Sequence, residues 1–128
     1  MTLAYWCVLI GGFMPILWTA TAKFGGGRRM SVTENAAPRD FLAGVSGLQK
    51  RADWAQQNAF EAFPIFAAAV IIAHLAGAAQ GRVDLLAVLW VVARLVYGVC
   101  YLADWATLRS LTWFAAVVCV VGMFVSAA

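Results

Sequence analysis

Apolar residues fall in four long runs separated by polar stretches of unequal length. The runs cover residues 3–22, about 56–79, about 85–102 and about 110–127. At about 1.5 Å per residue, each is roughly long enough to cross a hydrocarbon core of about 30 Å. The pattern therefore predicts four membrane-spanning helices, an all-α integral membrane bundle in one domain over residues 1–128. Pro15 is expected to bend the first helix. Pro64 removes the bond to the Phe60 carbonyl and is expected to kink the second near Glu61. Ala20-Thr21-Ala22 resembles a signal-peptide cleavage site, but no basic residue precedes the run, as a secretory leader would require. A retained spanning helix is the reading adopted.

The only long polar segment is residues 23–55. It holds Lys23, Arg28, Arg29, Arg39, Lys50 and Arg51, six of the nine basic residues. Basic loops stay in the cytoplasm, so this loop is expected there, with both termini outside. Gly25-Gly26-Gly27 stops the first helix. Phe41, Leu42, Val45 and Leu48 follow Pro38 at amphipathic spacing, which predicts a short interfacial helix. Composition agrees: of 128 residues 64% are hydrophobic and 12% charged, and the mean hydropathy is +0.84. A net charge of +3 is too small to indicate nucleic acid. Cys7, Cys100 and Cys119 sit in apolar runs at no metal-ligand spacing, so no metal site is expected.

Charge inside the apolar runs is what needs explaining. Asn58 and Glu61 share one face of the second helix, and Gln57 lies one turn before Glu61. Arg94, Tyr97 and Tyr101 form a stripe on the third helix, and Arg109 stands near the start of the fourth. An isolated carboxylate at the bilayer centre costs about 2.5–3.5 kcal/mol on insertion scales, so Glu61 and Arg94 are expected to neutralise each other. A purely structural clamp needs only that pair. The full set of cationic donors and phenols, in a wedge opening to the cytoplasm, suits an anionic polar small molecule with an apolar companion. His74, near the far end of the second helix, reads as a satisfied interfacial histidine.

These residues resemble the MAPEG family, the membrane-associated proteins in eicosanoid and glutathione metabolism. Its Asn-x-x-Glu-x-x-Pro signature is matched by Asn58–Pro64, and its Arg-x-x-Tyr-x-x-x-Tyr signature by Arg94–Tyr101. Arg109 fits an arginine opening the fourth helix. Asn35–Arg39 is similar to a loop of small bacterial members. The resemblance implies a homotrimer in the bacterial inner membrane, with a site between neighbouring subunits near the cytoplasmic face. It further implies glutathione as co-substrate, a lipophilic electrophile reaching the site through the membrane lipids, and transferase or peroxidase activity. Gln56, Asn58 and Glu61 would then hold the tripeptide backbone, and Tyr97 and Tyr101 would flank it. Arg94 would pair with Glu61 or a glutathione carboxylate, and Arg109 would stabilise the thiolate.

Two positions depart from the family pattern. Trp54 stands where leukotriene-C-synthase-like members have an arginine, leaving Arg51, one turn earlier, as the candidate substitute. Arg109 follows Tyr101 by eight residues, one residue out of the family's register. The competing functions are a non-catalytic relative that binds a lipid or lipophilic anion, and a small four-helix multidrug transporter. The transporter is the weaker, since those proteins carry their acid in the first helix and this first helix has no charge.

Overall fold

A backbone crossing hydrocarbon must satisfy its N–H and C=O groups internally, and helices do so without partners. The computed structural model, which describes residues 1–128, is accordingly all-helical. It comprises α1 (Leu3–Phe24), a 3-10 turn (Glu34–Ala36), α2 (Pro38–Ala43), α3 (Gly47–Leu75), α4 (Gln80–Leu102) and α5 (Ala106–Ser126). The helices α1, α3, α4 and α5 are long and apolar enough to cross a membrane.

Three helices start earlier than the apolar runs suggest, two of them because polar side chains at their ends find partners. In α3, Gln49 is buried and donates to the carbonyls of Ala22 (2.8 Å) and Arg28 (2.7 Å), while the Arg28 N–H donates back to its Oε1. That side chain satisfies the end of α1 and the glycine-rich connection together, anchoring two further helical turns before Gln56. In α4, Gln80 Nε2 donates to Asp84 Oδ1 (2.8 Å), one turn on, and Gln80 Oε1 lies 3.2 Å from His74 Nδ1. Asp84 Oδ1 also accepts the Ala4 N–H at 2.8 Å, tying the start of α1 to α4. In α5, the turn closes at Asp104, with φ 61°, so Arg109 lies one turn inside the helix. Conversely, α3 stops at Leu75, before Ala79, because Gly77 adopts φ 74° and its N–H turns back to the His74 carbonyl.

The amphipathic stretch after Pro38 splits in two. Phe41, Leu42 and Val45 are buried against Ala22 and Ala52, but α2 ends at Ala43 and Leu48 lies exposed on α3. Nearby, Glu34 accepts from the Ser31 N–H (2.9 Å), the Ser31 hydroxyl (2.9 Å) and the Arg28 guanidinium, which also lies over the Phe41 ring.

Within the bundle, Phe66 and Trp90 stack with ring centroids 3.7 Å apart, and α1 approaches them through Gly11. Gly98 plays the same part for Trp18: a Cβ there would overlap the indole ring. Pro15 and Pro64 are both accommodated within unbroken helices.

Two outcomes follow. Because Trp18 is buried and cannot swing aside freely, Gly98→Ala is expected to destabilise the bundle by about 1–3 kcal/mol, read by thermal unfolding in detergent. The hydrogen bonds from Ser31 and Arg28 lower the Glu34 carboxyl below its ordinary value of 4.5. A depressed folded-state pKa stabilises above the unfolded value, and that stabilisation is lost as pH falls through the folded one. The Glu34 carboxyl followed by NMR should therefore titrate at lower pH in the folded protein than in an unfolded reference peptide, and Arg28→Ala should narrow the difference.

Candidate functional site

Trp54, Gln57, Asn58 and Glu61 recur at offsets of three and four along α3 and so face one way. With Tyr101 of α4 and Arg109 of α5 they line a polar cavity of about 430 Å³ at the end of the bundle nearest residues 23–55. Trp54 and Tyr101 pack against each other in its lining, with ring centroids 6.3 Å apart. The Arg109 guanidinium lies 4.4 Å from the Tyr101 ring centroid, within cation–π range, which holds the cation at the cavity wall.

Behind this wall, Arg94 is only 2% exposed. The expected ion pair with Glu61 does not form, and Asn58 stands between the two residues instead. Arg94 Nη2 donates to Asn58 Oδ1 (2.7 Å) and to the Asn58 carbonyl (3.2 Å), while Asn58 Nδ2 donates to Glu61 Oε2 (3.1 Å). A carboxamide offers an acceptor and donors, so one side chain can link a buried cation to an exposed anion. The Tyr97 ring, with its centroid 4.2 Å from the guanidinium carbon, adds a second electrostatic contact, and Tyr97 packs edge-on to Tyr101 at 5.5 Å. Arg94 Nε has no partner.

A second cavity, apolar and of about 490 Å³, lies between α3, α4 and α5. Asn58, Glu61 and Arg94 line it beside Ile65, Val117 and Phe124. Asn58 and Glu61 thus border both spaces, so a polar and an apolar compartment meet at these two side chains.

The structure therefore gathers Asn58, Glu61, Tyr101 and Arg109 around one cavity, with Arg94 and Tyr97 supporting it from behind. It does not bring two other sequence candidates there. Arg51 Nε donates to the Leu102 carbonyl at 3.1 Å, capping the end of α4 rather than replacing the arginine absent at Trp54. Gln56 faces elsewhere, with Oε1 buried and unpartnered, and its neighbour Gln57 lines the cavity. Asp53 was absent from the sequence reading. It is buried and accepts from Gln57 Nε2 at 3.1 Å. The spacing Asp53–Gln57–Glu61, four residues at each step on one helix face, was the available signal.

A sequence model of the MAPEG family matches residues 3–128, essentially the whole chain. No curated protein and no solved structure matches the chain.

The Asn58 link sets an order of stabilities. Asn58→Leu strands the Arg94 guanidinium and is expected to cost about 2–4 kcal/mol. Glu61→Gln, whose amide still accepts from Asn58, should cost less than about 1 kcal/mol. Thermal unfolding of the two variants in detergent measures both, and equal losses would point to a direct Glu61–Arg94 pair.

Proposed function

The chain belongs to the MAPEG family, whose members include glutathione-dependent transferases and peroxidases as well as non-catalytic proteins, and on that basis we propose that it is a glutathione transferase acting on a lipophilic electrophile. The observation that carries this reading is the meeting of the two compartments at Asn58 and Glu61. A charged tripeptide requires a polar cavity with a cation, and a membrane-soluble partner requires an apolar one. Conjugation requires that they touch.

The chemistry asked of the protein is modest. A cysteine thiol with a pKa of about 8.5 is mostly protonated at neutral pH, and the thiolate is the nucleophile. Arg109, held over Tyr101 at the cavity wall, supplies positive potential that favours loss of the thiol proton to water. The thiolate then forms a sulfur–carbon bond with the electrophile as the bond to its leaving group breaks, and that group departs with the electron pair. Asn58 and Glu61 hold the polar groups of the tripeptide, and Tyr101 packs against it. No protein nucleophile takes part.

The proposal extends to a homotrimer in a bacterial inner membrane, with both termini outside and the polar cavity facing the cytoplasm. The basic residues of segment 23–55 lie at the cavity end of the bundle, which supports that orientation.

Calorimetric titration with glutathione and conjugation of chlorodinitrobenzene test the reading. Binding and turnover are expected, and Arg109→Ala should lower kcat/KM by about a hundredfold or more while the tripeptide still binds. Absence of binding at millimolar glutathione would contradict it and favour a non-catalytic, lipid-binding relative.

A further inference from the structure

On the α3 side of the polar cavity, every nearby cation is committed elsewhere. Arg51 caps the Leu102 carbonyl. Lys50 Nζ donates to the Leu42 carbonyl at 3.1 Å and lies 3.5 Å from Asp53 Oδ2. What α3 presents to the cavity is therefore Trp54, Gln57, Asn58 and Glu61, none of them positive.

The orientation of Gln57 follows from its partner. Asp53 is 5% exposed and, as a carboxylate, only accepts hydrogen bonds. The Gln57 amide must therefore turn its NH2 toward Asp53 Oδ2, at 3.1 Å, which leaves Oε1 as a free acceptor on a residue lining the cavity. Glu61, one turn further on, adds a carboxylate to the same face. Arg109 is the only cation this chain contributes to the lining, from α5. The cavity thus has an accepting wall and a cationic wall, an arrangement matched by a zwitterion.

We infer that Asp53 is a positioning residue which fixes the Gln57 amide, so that Gln57 Oε1 and Glu61 select the ammonium group of a zwitterionic substrate. This rests on the glutathione reading above and deepens it. The ammonium is gripped by α3, and the site discriminates against the same tripeptide without its amine. Asp53 itself touches no substrate. It acts by denying Gln57 the flipped amide, which would place an N–H donor against the ammonium.

The test compares glutathione with glutaryl-cysteinylglycine, the same thiol tripeptide lacking the amino group, by calorimetric titration of the full-length protein in detergent. Wild type should bind glutathione more tightly by about tenfold or more, as befits a hydrogen bond to a charged group. Asp53→Asn, which no longer dictates the amide orientation, should lower that ratio severalfold, Glu61 keeping the remainder, while retaining its affinity for the amine-free analogue. Retained analogue binding shows that the variant is folded. Gln57→Leu, at an exposed position, should lower the preference in the same way, and Asp53→Glu should recover part of it. An unchanged ratio in Asp53→Asn, or equal binding of the two peptides to wild type, would overturn the inference and leave the glutathione reading standing. If neither peptide binds wild type, the glutathione reading falls and this inference with it.

Discussion

A guanidinium buried within a membrane bundle is the constraint on which the site depends. Arg94 lies inside an apolar helix and is almost wholly removed from solvent, where an unpaired charge is strongly disfavoured. Its compensation comes from the side-chain amide and backbone carbonyl of Asn58 and from the face of Tyr97. Contact with a carboxylate is absent. Arg94, Asn58 and Tyr97 thereby clamp α3 to α4 at fixed rotation, and Glu61 is left at the surface of the cavities.

That division of labour gives the site its composition. Had Glu61 been consumed by Arg94, only Arg109 would offer full charge to the polar cavity. With Asn58 intervening, a carboxylate on α3 faces the same space as the cation on α5, and the apolar groove begins at the same two α3 side chains. A substrate with both signs of charge and a partner drawn from lipid can then meet without either entering the wrong medium.

Much of the fold was legible because apolar length and helical period are local properties. Four runs long enough to span hydrocarbon, with Asn58–Glu61 and Arg94–Tyr97–Tyr101 on single faces, follow from spacing alone. Helix starts were less legible. Gln49, Gln80 and Asp84 look like loop residues until the carbonyls and amides they satisfy are brought beside them by the tertiary fold. The choice between Gln56 and Gln57 turns on about 100° of helix rotation, which sequence spacing leaves undetermined. Counting charges likewise suggested that Glu61 meets Arg94, because that argument has no place for an amide between them. Charge alone points Arg51 to the site, yet the Leu102 carbonyl that holds it belongs to a helix end only the structure positions.

The most direct measurement is the ultraviolet absorbance of the thiolate when glutathione is mixed with the protein at neutral pH. If the cavity takes the tripeptide as proposed, Arg109 at its wall should produce a thiolate band in wild type and none in Arg109→Ala. Glutathione that binds wild type yet stays fully protonated would contradict the role assigned to Arg109 and the function built on it.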